Sequence, residues 1–258
     1  MIAGLMKKTG VFVSLLMIST QIVALELDAR SEFGQRWELN SAVSGVVKQL
    51  SVTVGQTVKP GDILLTLDDT PYLAAVNRAK AKIKSLEPAQ IQMQSELEKA
   101  QELFDRDSLS LIDLQQAENN LQLAQGQLDA AQADLSGVEY ALAQTVIRAP
   151  ARAMVLAIHT HLKRYVNTAV NDQALVTLVD NQQMLATALL SAENWRPALL
   201  GKSATVSYRG KRYQGKVIRL GSELSSQGNA SPGFELSVLF VASGEIPANM
   251  PLTINIQE

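Results

Sequence analysis

The chain has 258 residues, of which 47% are apolar and 5% aromatic, enough for one or two modest hydrophobic cores. Its formal charge of −2 leaves no excess of basic residues of the kind that nucleic-acid binding requires, so no nucleic-acid partner is expected. Cysteine is absent, which excludes disulfides, thiolate metal sites and a cysteine nucleophile.

Residues 1–24 have the pattern of a secretory signal peptide. Lys7 and Lys8 precede an apolar run over residues 11–23, and Ala24 is a plausible cleavage point. The run is shorter than the ~20 apolar residues that span a bilayer, so we expect cleavage rather than a retained anchor. Retention as an uncleaved anchor is the alternative.

The first half of a small β-domain follows a lead segment. Residues 25–40 are mixed in charge and have no periodic pattern before Trp37. Residues 41–70 contain short apolar runs that are punctuated by Gly55 and Gly61, where a turn needs a positive φ. These runs predict short strands joined by tight turns.

Residues 71–144 contain two heptad seams, meaning apolar residues at alternating steps of three and four. The first seam lapses at Gln90 and otherwise comprises Val76, Ala79, Ile83, Leu86, Met93, Leu97, Ala100 and Phe104. The second comprises Leu114, Ala117, Leu121, Ala124, Leu128, Ala131, Leu135, Val138 and Leu142. Residues 105–108 between them favour a turn. One antiparallel helical hairpin is therefore predicted.

Folding this hairpin about Leu109 sets Ile83 near Leu135 and Leu97 near Leu121. Each arm of about 35 residues would be about 50 Å long. Such a rod buries too little to be a domain by itself, so it must project from another domain. Pro88 lacks an amide donor and is expected to bend or restart the first arm.

Residues 145–180 repeat the first half more weakly. Residues 175–178 align with residues 64–67, and residues 166–170 align with residues 54–58. The second alignment puts Asn167 at the position of Gly55, and Asn tolerates left-handed backbone better than most residues. The repeat predicts one β-domain cut in two by the hairpin.

The chain contains two histidines, His159 and His161. They could share a strand face and bind a metal, but two ligands with no nearby cysteine or carboxylate pattern make a poor site. Serines, aspartates and histidines do not form a recognisable nucleophile or acid/base motif. We therefore expect no catalytic residue, no metal and no cofactor.

Residues 181–258 alternate in short strands separated by turn signals. The predicted strands are residues 185–189, 203–208, 213–218, 234–240 and 252–256, and the polar stretch from Ser222 to Gly233 is predicted as a loop. Regular short strands with turns between them predict a small β-barrel.

This order of segments resembles the periplasmic adaptors, also called membrane fusion proteins, of tripartite efflux pumps (the HlyD/RND adaptor family). In that family a coiled-coil hairpin is inserted between two lipoyl-like half motifs and a β-barrel follows. The matching residues are Leu67-Asp68-Asp69, Tyr72 and the re-entry from Thr145 to Pro150. The implied fold class is α+β, with a hairpin at 71–144 and half motifs at 41–70 and 145–180.

The resemblance implies a function that is not enzymatic. The chain would be a periplasmic subunit, associated with the inner membrane, that links an inner-membrane transporter to a TolC-type outer-membrane channel for export of drugs or other small molecules. The layout favours a transporter of the RND class, and an ATP-driven transporter is the alternative. It would form a homo-oligomer, a hexameric ring. Longer members continue into a membrane-proximal domain that we expect this sequence to lack, which would leave the transporter contact to the barrel or to another subunit.

The resemblance also implies a channel-contacting motif at the hairpin tip. The family has a basic residue, a leucine four positions on and a serine seven positions beyond, and Lys99, Leu103 and Ser110 have this spacing. Lys99 replaces the usual arginine and lacks its planar pair of donors. The alternative is that Leu103 flanks the seam and Lys99 lies on a solvated face.

The alternative functions are a lipoyl or biotinyl carrier and a structural periplasmic tether. A lipoyl or biotinyl carrier needs a modified lysine at the turn that joins its halves, and here the hairpin replaces that turn, with Asp68 to Pro71 at the junction. The carrier interpretation therefore has no lysine to modify. A structural periplasmic tether that forms no conduit is the remaining alternative.

Overall fold

A computed structural model describes residues 24–169, 173–225, 232–242 and 244–257. The predicted signal peptide lies outside these residues, except for Ala24. The chain divides into two compact units, one formed by Phe33–Met184 and the other by the described residues up to Glu32 and from Leu185 onward.

Two long helices follow each other in the chain, between two groups of short strands. In chain order they are β1 (Ala24–Phe33), β2 (Arg36–Leu39), β3 (Gly45–Leu50), β4 (Thr57–Val58), β5 (Ile63–Leu67), α1 (Thr70–Asp105), α2 (Leu111–Ala143), β6 (Val146–Arg148), β7 (Ala153–Ile158), β8 (Tyr165–Val166), β9 (Val176–Val179), β10 (Gln183–Leu190), β11 (Ser203–Tyr208), β12 (Lys211–Ser225), β13 (Gly233–Val241) and β14 (Pro251–Gln257). A short 3-10 helix (Pro197–Leu199) precedes β11.

The first unit contains two four-stranded sheets in the orders β2-β9-β7-β4 and β6-β5-β3-β8. Each sheet combines strands from before and after the helices, and the strand pairs are antiparallel. Their buried side chains form one hydrophobic cluster: Val47, Val52, Val58, Leu64, Leu65, Leu67, Ile147, Ala149, Ala153, Val155, Val166, Leu175, Val176 and Leu178. Residues 41–70 and 145–180 thus share a single core.

The two halves of this unit repeat the same backbone geometry. The amide of Gly55 donates to Val155 O (2.8 Å), and the amide of Val155 donates to Gln56 O (2.9 Å). The counterpart bonds run from Lys163 N to Val47 O and from Val47 N to Arg164 O, both 2.9 Å. Gly55 therefore corresponds to Lys163.

The predicted equivalence of Asn167 with Gly55 is wrong. Lys163 has the left-handed φ of 66°, matching 85° at Gly55, whereas Asn167 is not among the described residues with positive φ. The Asn167 Oδ1 instead accepts a hydrogen bond from the amide of Ala169 (3.0 Å). The predicted alignment matched valines that recur in both halves. The connection from β8 to β9 is longer than the connection from β4 to β5, so these valines do not occupy equivalent positions.

Helices α1 and α2 contact each other, and they begin and end close to the predicted seams. All predicted apolar seam residues are buried or half-buried except Phe104, which lies at the exposed end of α1. Helix α1 runs through Pro88 without interruption, so the proline does not restart it. Among the described residues, no helix is long and apolar enough to cross a membrane.

The second unit is a closed six-stranded barrel in the order β1-β10-β13-β12-β11-β14. Its fully buried side chains include Ala186, Leu190, Val206, Val217, Leu236, Val238, Ile254 and Ile256. The sequence predicted no strand before Trp37, yet β1 pairs with β14 along seven residues. Of its inward side chains, Leu25 and Leu27 are only half-buried, whereas Ala29 and Ser31 are buried but small. The alternation of apolar and polar residues along β1 is therefore too weak to predict a strand. Strand β12 also continues to Ser225, into the stretch that was predicted as a loop.

Candidate functional site

Both helices leave the two sheets of the first unit at one pair of neighbouring strands. Strand β5 leads into α1 and α2 leads into β6, and the amide of Leu67 donates to Thr145 O (2.8 Å) across this exit. The Tyr72 hydroxyl, in the first turn of α1, donates to Ser44 O (2.6 Å). The start of α1 is therefore tied to the segment before β3 as well as to β5.

Charged side chains add to this joint at the base of the helices. Lys48 Nζ lies 2.7 Å from Asp69 Oδ1, and the hydrogen bond to Lys48 lowers the pKa of Asp69. The amide and hydroxyl of Thr70 both donate to Asp68 Oδ1, which lowers the pKa of Asp68. These groups are exposed, so they orient the first turn of α1 and add little stability.

The far end of the helices is a compact turn. The amide of Asp107 donates to Phe104 O and the amide of Ser108 donates to Leu103 O, both at 2.9 Å. This pair of bonds is the Schellman arrangement, in which the residue after the cap adopts left-handed backbone. Asp107 has that conformation, with φ 54°, at a position where glycine is the usual residue.

Ser110 is the N-cap of α2. Its Oγ accepts a hydrogen bond from the amide of Asp113 (3.2 Å) and donates to Asp113 Oδ2 (2.6 Å). The N-cap satisfies an amide that the helix leaves unpaired, and an acidic side chain in the first turn is favourable beside the helix N-terminus. Ser110 therefore has a structural role whatever it contacts.

The structure places Lys99 and Leu103 one turn apart in the last two turns of α1, close to Ser110 in the chain. Both are exposed, and the side chain of Leu103 is 44% exposed. Lys99 is charged and lines a shallow groove on α1 that also contains Pro88 and Ile91. No partner is present, so the channel contact of Lys99, Leu103 and Ser110 stays a prediction.

The tip also exposes large apolar residues that do not belong to the predicted channel-contacting motif. Phe104, Leu111 and Ile112 are 36%, 56% and 77% exposed, and they adjoin Leu103 on either side of the turn. The available signal was that Leu111 and Ile112 precede the second seam and so have no place in it. An apolar cluster at the end of a helical pair fits a contact with another protein.

The charge at the tip is negative. From Glu98 to Asp113 there are five carboxylates and two basic residues, Lys99 and Arg106. Arg106 pairs with Glu102 one turn earlier in α1, a favourable position for a cation near a helix C-terminus.

The two histidine side chains contact different neighbours. His159 Nε2 lies 3.2 Å from Thr177 Oγ1, and His161 Nδ1 lies 3.0 Å from Leu162 O. In the part of the chain that the structure describes, no three His, Asp or Glu residues are placed to hold a metal ion.

Comparisons with known proteins agree on one family. The sequence profile of the RND MFP (membrane fusion protein) barrel-sandwich hybrid domain matches residues 35–178, more than half of the chain. The Escherichia coli K12 protein YdhJ, described as uncharacterized, is 29% identical over 187 residues, or 72% of this chain and 64% of YdhJ. The match therefore spans less than two thirds of that relative.

Solved structures share the fold. The membrane fusion protein Spr0693 from Streptococcus pneumoniae R6 has a TM-score of 0.71 at 15% identity, covering 91% of this chain and 99% of its own. MacA from Actinobacillus actinomycetemcomitans has a TM-score of 0.67 at 18% identity, covering 91% of this chain and 78% of its own. The two sheets combine strands from both sides of a pair of long helices, and the profile match covers this region over residues 35–178. This chain therefore belongs to the RND membrane fusion protein family, the periplasmic adaptors of efflux systems.

Proposed function

We propose that the chain is the periplasmic adaptor subunit of a tripartite efflux system, linking an inner-membrane transporter of the RND class to a TolC-type outer-membrane channel. The observation that carries the proposal is the pair of long helices anchored in a barrel-sandwich domain that matches the adaptor family. The function is not enzymatic, and its output is export of drugs or other small molecules. Its place is the periplasm, associated with the inner membrane.

In this proposal α1 and α2 form a coiled-coil hairpin that is inserted in a lipoyl-like domain. The Lys80–Glu139 ion pair of 3.2 Å joins the helices near their base, and it agrees within one residue with the register that folding about Leu109 predicts. At ~1.5 Å per residue, α1 alone is about 50 Å long. A rod of that length suits a connection across part of the periplasm.

The hairpin tip is the proposed channel-contacting surface, with Lys99, Leu103 and Ser110 as its motif. The exposed apolar side chains of Phe104 and Ile112 would enlarge this surface beyond the motif. Identical chains would stand side by side in a hexameric ring, so that the hairpins enclose a conduit.

Export assays with matched tip variants test the proposal. A strain without the gene should accumulate fluorescent efflux substrates and become more sensitive to drugs, and the wild-type gene should restore both. Leu103→Asp should fail to restore export because it puts an unpaired charge into an apolar contact. Gln132→Asp, an exposed change in α2 away from the tip, should restore it.

Two results would contradict this assignment. Normal export in the deletion strain, across a broad panel of substrates and with related adaptors also deleted, would exclude a role in efflux. Loss of envelope integrity with export retained would indicate the structural tether instead.

A further inference from the structure

An unoccupied hole lies on the outward face of α2, midway along the helix. Leu123, Gly126, Gln127 and Ala130 surround it, and Leu123 is 64% exposed. Residues at positions i, i+3, i+4 and i+7 form the kind of hole that receives a knob side chain from a neighbouring helix. Helix α1 of the same chain cannot fill it, because Gly126 is two residues beyond Ala124 of the seam, about 200° around the helix axis.

A matching knob lies on α1. Ile91 is 65% exposed, one of the most exposed large apolar side chains of the described residues, and it belongs to the groove around Pro88. Counting equal steps along both helices from the Lys80–Glu139 ion pair brings Ile91 to the level of Gln127 and Leu128. The knob and the hole therefore lie at the same distance from the tip, on outward faces of the two helices.

Between the knob and the base of the helices, the charges of α1 and α2 are complementary, although Glu87 and Glu96 adjoin Ile91 in its groove. Helix α2 carries five acidic residues and no basic one, whereas α1 carries four basic residues and no acidic one before Glu87. Counting from the same ion pair brings Lys84 to within one residue of the level of Asp134. A second copy that placed its α1 beside this α2 would set its basic half against an acidic helix.

We propose that Ile91 of one copy inserts into the hole around Gly126 on α2 of the next copy. This inference rests on the proposed ring of identical chains and deepens it by naming the lateral contact. Copies related by a rotation axis have no translation along it, so surfaces at equal distance from the tip meet. The contact is heterologous, since the knob and the hole lie on different helices, and a heterologous contact closes into a ring or extends into a filament.

Because the chain has no cysteine, disulfide trapping tests this contact directly. Ile91→Cys and Gly126→Cys are placed on separate, differently tagged copies that are co-expressed with the barrel and hairpin intact. A Cβ at Gly126 would meet no atom within 4 Å, so the second change does not disturb the chain. Oxidation should give a disulfide-linked dimer containing both tags, and neither variant expressed alone should give that dimer.

Gln94→Cys with Gln125→Cys is the matched control. Both residues are exposed and lie on the same helices at nearly the same level, but they lie beside the seam rather than on the outward faces. This pair should give no mixed-tag dimer.

A second test fills the hole with a larger side chain and needs no disulfide. Ala130→Trp should fill it and reduce self-association in sedimentation, whereas Gln132→Trp, beside the seam, should leave self-association unchanged. Self-association with no disulfide between the introduced cysteines would overturn this contact while leaving the adaptor function intact. Absence of any self-association would also overturn the contact. The adaptor function is tested separately, by crosslinking from the tip to an outer-membrane channel.

Discussion

The sandwich and the helical pair differ most in how much of each is buried. The sandwich core contains 14 buried residues drawn from short strands and the residues next to them, whereas each helix buries only two side chains, Val76 and Leu97 in α1 and Leu128 and Ala131 in α2. The sandwich therefore stabilises itself, and the helices depend more on their anchorage in it. This division suits an adaptor, in which a stable base presents a long contact surface.

The largest expected loss of stability comes from shortening a side chain in the sandwich core. Leu178→Ala should lower the free energy of unfolding by about 2–5 kcal/mol, because Leu178 is fully buried and the cavity cannot collapse. Leu128→Ala on the helical pair should cost less than about 2 kcal/mol, because an open two-helix seam relaxes around a smaller side chain. Urea unfolding followed by circular dichroism measures both, and equal losses would contradict the contrast.

The next effect tests the equivalence of the two sandwich halves. Lys163→Gly should stabilise the protein by up to about 1 kcal/mol, because glycine adopts positive φ without strain. Gly55→Ala should destabilise it by about 1–2 kcal/mol for the same reason. If Lys163→Gly is destabilising in urea unfolding, the left-handed turn at Lys163 is not the counterpart of Gly55.

A third pair of variants separates the capping role of Ser110 from its proposed contact with a partner. Ser110→Ala removes the N-cap of α2 and should cost about 1 kcal/mol, seen as faster amide hydrogen exchange at the start of α2. Ser110→Asn keeps a capping oxygen without placing a second carboxylate beside Asp113, and it should restore slow exchange. If Ser110→Asn restores the cap but not export, the hydroxyl is needed for the partner.

The smallest effect lies at the base of the helices. The pKa of Asp69 is lowered, so its contribution to stability is present above the unfolded pKa of about 3.9 and is lost as pH falls through the lower folded value. Asp69→Asn should therefore be slightly less stable than wild type at pH 7 and should approach it below pH ~4. A difference that grows on acidification would contradict the Lys48–Asp69 contact.

The elements with strong periodicity were predictable from the sequence. The apolar seams predicted both helices and the turn between them because a heptad pattern extends over many residues and few other structures produce it. Residues 64–67 and 175–178 could likewise be matched, because fully buried strands leave continuous apolar runs.

Other parts could not be predicted, for physical reasons. Strand β1 alternates charged and apolar residues, but its inward residues end in Ala29 and Ser31, which read as polar or small. The left-handed residue Lys163 gives no sequence signal, since lysine is rarely found at positive φ. At the tip, the motif spacing pointed to Ser110, whereas Ile112 lies outside both the motif and the seam, and a single exposed apolar residue is not by itself a signal of a contact.

Crosslinking from the hairpin tip in intact cells tests the central claim most directly. Single cysteines at Leu103 and at Ser110 are compared with a cysteine at Gln132, which is exposed on α2 away from the tip. The adaptor function predicts a crosslink from both tip positions to an outer-membrane channel protein and none from Gln132. If the tip crosslinks to no outer-membrane protein, or if Gln132 crosslinks equally well, the proposed bridge to the channel is wrong.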